Sequence, residues 1–176
     1  SLGYGAATTD LASTAASLTA PPTTASLEIT FALHPLHAIV GGTSSCTLAA
    51  IGNGSSFLYI NLSYSGTAVY AGWSPTTGSS AVTSASAFPL SKLLPGLLHH
   101  FMVTITPSGT LRFYVDGDLI SSVAAGSGSF SGSDYAAFIG TAGSNPSPAA
   151  PLGRFGELRI SNVARSAAYA RAAYDD

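Results

Sequence analysis

LLHHFMVTITPSGTLRFYVDGDLISSVA, Leu97–Ala124, reads as three consecutive antiparallel strands. The first, Leu98–Thr106, stops at the turn Pro107-Ser108-Gly109. The second, Thr110–Val115, alternates Leu111, Phe113 and Val115 with Arg112 and Tyr114. Asp116-Gly117 follows, and Asp-Gly between two alternating runs is a strong short hairpin signal, because both central positions of the turn need positive φ. The third strand, Asp118–Ala124, returns through Leu119 and Ile120. Nothing in this stretch is catalytic by inspection, so it speaks for a fold before it speaks for a job.

The same punctuation extends on both sides. Ser26–Leu33 places Leu27, Ile29, Phe31 and Leu33 on one face and Glu28 and Thr30 on the other, the pattern of a half-buried strand. Cys46–Ile51, Phe57–Ser63 and Ala68–Trp73 form a second meander, turning at Asn53-Gly54 and at Tyr64–Thr67. Residues 74–87 read as a long Ser/Thr/Gly loop, and Ala125–Asp134 and Ala142–Leu152 as two more. Tyr135–Thr141 and Phe155–Ile160 are further strands. The period then changes. Over Val163–Tyr174 an alanine-rich run, with Ser161, Asn162 and Ser166 able to cap it, predicts one short helix. Many short strands with almost no helix give an all-β, antiparallel β-sandwich jelly roll with a short C-terminal helix. The expected organisation is a single unit: residues 1–24 as an N-terminal strand (around Tyr4–Leu11) or an arm, and residues 25–176 as the jelly-roll domain.

Composition narrows the function. Only 14 of 176 residues are Asp, Glu, Lys or Arg, with net charge −2, about a third of the usual charged fraction. No basic patch exists for nucleic acid, and no apolar run is long enough to span a membrane. A weakly charged Ser/Thr/Ala/Gly exterior fits either a subunit packed among protein neighbours as an oligomer or a mildly polar free surface. The single cysteine, Cys46, cannot close an internal disulfide and reads as a buried thiol. The N-terminus lacks the cationic start and apolar core of a signal peptide. It also lacks Met, so the chain reads as processed or as a piece of a longer product.

The motifs Leu98–Thr104 (LHHFMVT), Thr110–Gly117 (TLRFYVDG) and Phe155–Ser166 (FGELRISNVARS) resemble the laminin-G-like family of concanavalin A-like jelly rolls. That family usually has Trp where Leu98 stands and commonly Asp where Gly156 stands. The resemblance implies a module that binds glycans or proteins, or a structural part, including bacteriophage virion proteins. It also implies that calcium is possible at the sandwich rim, where Asp116, Asp118 and Asp134 are the candidate ligands. The alternative reading of Asp116 and Asp118 is turn chemistry.

Catalytic constellations are sparse. Glycoside hydrolysis needs two facing carboxyl groups, and the only glutamates, Glu28 and Glu157, stand on different strands without acidic neighbours in alternation. A glycan hydrolase would require the two to meet in an open cleft; otherwise they pair with Arg159 or Arg112. No Gly-x-Ser-x-Gly elbow is present. His99 and His100 are consecutive, so they point to opposite faces and cannot share a metal; one is expected to enter the sandwich and bond the backbone. His34 and His37 have no thiol or carboxylate beside them to complete a zinc site. For glycan binding, Trp73, Tyr70 and Tyr64 are the candidate aromatic platform, with Trp73 capping the core as the competing reading. The expectation is a non-catalytic recognition or adhesion module in an extracellular or virion assembly. The alternative is a purely structural virion subunit, such as a phage capsid decoration or tail component.

Overall fold

The computed structural model describes residues 14–18, 24–34, 45–52, 56–63, 67–75, 82–126, 135–139 and 153–175. Within them lie twelve strands: β1 (Thr14–Leu18), β2 (Ala25–Leu33), β3 (Ser45–Gly52), β4 (Phe57–Ser63), β5 (Ala68–Ser74), β6 (Val82–Thr83), β7 (Phe88–Pro89), β8 (Leu98–Ile105), β9 (Thr110–Val115), β10 (Asp118–Ala124), β11 (Tyr135–Ile139) and β12 (Gly153–Ser161). A helix, α1 (Ala167–Asp175), closes the chain. The Oγ of Ser166 accepts the N–H of Tyr169 and so caps α1.

The strands form two antiparallel sheets. One is five-stranded, in the order β10-β9-β8-β2-β12. The other is seven-stranded, in the order β1-β11-β3-β4-β5-β6, with β7 also paired to β5. The opening stretch supplies three adjacent strands of the first sheet. Its Asp-Gly turn takes φ +51° at Asp116 and +81° at Gly117, as that hairpin demands.

The jelly roll is thus the observed fold, and period-2 alternation builds its core. Leu27, Ile29 and Phe31 of β2 and Phe101 and Val103 of β8 face Leu58, Ile60 and Leu62 of β4 and Val69, Ala71 and Trp73 of β5, all essentially without solvent contact.

Two features depart from the sequence reading. The loop expected over residues 74–87 contains β6, which pairs with Gly72 and Trp73; reciprocal bonds between Ala71 and Ser84 hold its end. Tyr114 alternates outward from the core as expected, yet it is 1% exposed. It packs with Met102, Ala170 and Tyr169, so α1 covers part of the outer face of the five-stranded sheet. Burial pushes the Tyr114 phenol above its ordinary pKa. The N-terminal segment contributes β1, paired with β11, whereas Tyr4–Leu11 lies outside the described residues. So does the side chain of Cys46.

Charge is divided between the sheets. None of the seven strands of the larger sheet contains Asp, Glu, Lys or Arg, and residues 38–91 are charge-free without interruption. Five of the six cations, Arg112, Arg154, Arg159, Arg165 and Arg171, belong to the five-stranded sheet or follow its last strand, and Lys92 stands in the turn between β7 and β8.

Candidate functional site

The outer face of the seven-stranded sheet is built from alternate residues of β4 and β5. Their inward residues fill the core, so Tyr59 and Asn61, and across from them Gly72 and Tyr70, point away from it. Register sets two cross-strand rows. Ala50, Tyr59, Gly72 and Thr83 form one, and Thr47, Asn61 and Tyr70 the other. Tyr59, Asn61 and Tyr70 are half-buried, while Ala50 and Thr47 beneath them are buried.

Gly72 decides where the Tyr59 ring goes. A Cβ at position 72 would sit 2.2 Å from Cζ, 2.3 Å from the hydroxyl and 2.6 Å from Cε2 of Tyr59. The ring therefore lies in the space that a side chain on β5 would occupy, against bare backbone. Tyr70 meets it edge-on, with centroids 6.5 Å apart and planes at 87°, a favoured aromatic geometry. Asn61 donates from Nδ2 to the Tyr70 hydroxyl at 3.2 Å. The Tyr70 O–H is thereby left free to donate elsewhere. The Oδ1 of Asn61 is buried with no hydrogen-bond partner among the described residues. Burial, and then Tyr70, push the Tyr59 phenol up to about 12.

The sequence-derived platform of Trp73, Tyr70 and Tyr64 is therefore regrouped. Tyr70 is on the face. Tyr64 lies outside the described residues. Trp73 is 1% exposed and packed between the sheets, so its ring cannot carry a stacked sugar. Tyr70 and Trp73 are three residues apart on one strand, and alternation alone puts them on opposite faces. Alternation also puts Tyr59 on the face away from Leu58 and Ile60, but its cradle, Gly72, stands on another strand and is visible only in the register.

The candidate calcium ligands are engaged otherwise. The backbone N–H of Leu94 donates to Nε2 of His99 at 3.1 Å, which leaves the ring proton on Nδ1. That proton is given to Oδ2 of Asp116 at 2.7 Å, and the His100 N–H donates to Oδ1 at 2.9 Å. His99 thus enters the sandwich and bonds the backbone, as expected, and Asp116 is the clasp of its hairpin. Asp118 is exposed, 3.5 Å from Arg171 of α1. Asp134 lies outside the described residues. Both oxygens of Asp116 thus accept N–H groups within its own β8–β9–β10 meander, the turn chemistry that was the other reading of this residue. Among the described residues no group of three acidic, His or Cys side chains is placed to hold a metal.

Glu28 and Glu157 do converge, on the outer face of the five-stranded sheet. They line one cavity of about 30 Å³ with Thr30, His100, Arg159 and Ala173. Glu28 is 3% exposed, with Oε2 3.5 Å from Nε2 of His100. Glu157 is held by both the Nε (2.7 Å) and the NH2 (2.8 Å) of Arg159. That fork draws the Glu157 carboxyl below its usual range. A space of this size holds water rather than a sugar ring; the open cleft that a glycan hydrolase needs is not formed between these two carboxylates.

Comparisons with known proteins agree with this architecture. Residues 10–169 match a laminin-G-type family model described as the concanavalin A-like lectin/glucanases superfamily. No curated protein sequence matches the chain. Among solved structures, the carbohydrate-binding module (CBM40) of the Ruminococcus gnavus IT-sialidase, bound to α2,3-sialyllactose, is similar with TM-score 0.62 at 12% identity, over 89% of this chain and 84% of that one. Domain 4 of the Geobacillus stearothermophilus arabinanase AbnA, in complex with arabinotriose, is similar with TM-score 0.60 at 15% identity, over 86% and 66%. The binding domain of botulinum neurotoxin serotype D is similar with TM-score 0.68 at 10% identity, and this chain spans 37% of its length and 89% of its own. At these identities the likeness is one of fold.

Proposed function

This chain belongs to the concanavalin A-like lectin/glucanases superfamily, and from that premise we propose that it is a non-catalytic glycan-binding module working outside the cell. The observation that carries the reading is the aromatic and polar patch on the outer face of β4 and β5. It combines an aromatic ring seated on glycine, a second ring edge-on to it, an amide and a hydroxyl free to donate. A sugar presents an apolar C–H face and a rim of hydroxyls, so it asks for a ring to lie on and a few placed polar groups. The carbohydrate-bound neighbours of the same fold support the reading without identifying the sugar.

The test is binding to an immobilised glycan panel by the wild type and by Tyr59→Ala and Tyr70→Ala, each checked for an intact fold by circular dichroism. Binding by the wild type that falls at least tenfold in both variants is expected. Binding that survives both would move the site off this face.

A second reading has its own support. A charge-free sheet is also what a structural subunit of an extracellular or virion assembly would bury against neighbours. Light scattering separates the two, since a stable oligomer that binds no glycan would favour the structural subunit.

A further inference from the structure

Resting on the glycan-binding reading, we infer that the Tyr59–Asn61–Tyr70 face selects neutral glycans and rejects those bearing carboxylate, sulfate or sialic acid groups. Anionic sugars are normally held by Arg or Lys, whose charge-assisted bonds repay the dehydration of the anion. This sheet offers none. Its seven strands hold no charged residue, and neither does the continuous run 38–91 that includes the whole β3–β4–β5 meander and the connections within it. Five of the six cations belong to the opposite sheet and its flanks; the sixth, Lys92, is exposed in the turn that follows β7, beyond the Ala68 end of β5, where solvent ions screen it.

The phenol of Tyr59 illustrates what an anion would meet on this face, since burial, and then Tyr70, push it up to about 12. A carboxylate on a bound sugar would meet the same loss of water with no cation to compensate. The polar groups beside the Tyr59 ring, the Tyr70 hydroxyl, the Asn61 amide nitrogen and the exposed Thr83 hydroxyl, are neutral and match sugar hydroxyls in kind. An unpaired anion in such a site is expected to bind on the order of 10- to 100-fold more weakly than its neutral counterpart.

The experiment is titration calorimetry of the whole chain with neutral arabinan, xylan, mannan and mixed-linkage glucan, against polygalacturonate, alginate and α2,3-sialyllactose. Each titration is repeated across about 0.05 to 0.5 M NaCl. The expected result is binding confined to one or more neutral glycans, changing less than about twofold with salt and lost in Tyr59→Ala. Binding of an anionic glycan, with affinity falling as salt rises, would overturn the inference while leaving the glycan-binding reading in place. Neutral binding that survives both Tyr59→Ala and Tyr70→Ala would also overturn it, because this face would not be the selector. Binding of nothing in either group would remove the inference together with the reading it rests on.

Discussion

Gly72→Ala tests the geometry on which the binding face depends. The added Cβ would stand 2.2 to 2.6 Å from three atoms of the Tyr59 ring. Those atoms are the far end of a side chain, so the ring will swing outward rather than the strand break. The cost is the ring burial that is lost. If about 50 to 80 Å² of aromatic surface returns to water, that is roughly 1–2 kcal/mol. Against it stands the usual gain of about 0.5–1 kcal/mol from replacing a strand-interior glycine. In the wild-type background the change should therefore destabilise by about 0.5–1 kcal/mol. In a Tyr59→Ala background the clash is gone, and the same change should stabilise by about 0.5–1 kcal/mol. The difference is a coupling of roughly 1–2 kcal/mol, beyond the ~0.3–0.5 kcal/mol scatter of independent sites. Urea denaturation of the four proteins measures it. As a second readout, the Cζ resonance of Tyr59 should titrate closer to 10 in Gly72→Ala than the value of about 12 in the wild type. A coupling within scatter, with an unshifted Tyr59 titration, would show that the ring does not rest on Gly72, and the binding face as described would have to be abandoned.

Asp116→Ala removes the acceptor for the Nδ1–H of His99 and the N–H of His100 and leaves alanine at a left-handed position; urea denaturation should show a loss of about 2–4 kcal/mol, and a loss below about 1 kcal/mol would remove the clasp from the account. Trp73, the chain's single tryptophan, should emit at short wavelength and resist acrylamide quenching, since it is 1% exposed; ready quenching would return it to the surface and revive it as a sugar platform. Alkaline pH should destabilise the fold through Tyr59. Its folded pKa is raised above the unfolded value of 10, so its contribution is intact below pH 10 and is lost as pH rises toward about 12. The two-unit difference corresponds to roughly 2–3 kcal/mol at most, and Tyr59→Phe should flatten that part of a urea-midpoint series; an identical decline in Tyr59→Phe would place the raised group elsewhere.

The sequence by itself determined the strands of the central stretch. Alternation of Leu111, Phe113 and Val115 with Arg112 and Tyr114, closed by Asp116-Gly117, can be satisfied only by a hairpin with one face in a core. The motifs around it carried the family. Alternation also held the information that Tyr70 and Trp73 point opposite ways, because the side-chain period of a strand is two. What alternation cannot say is which neighbour stands across from a residue. That Gly72 lies opposite Tyr59, that Asp116 bonds the ring of His99, and that α1 folds over Tyr114 all depend on contacts between separate elements of the chain. Local propensity carries no term for such contacts. Register and the packing of one element on another decided them, and with them which of the aromatic side chains is a wall of the binding face and which is core.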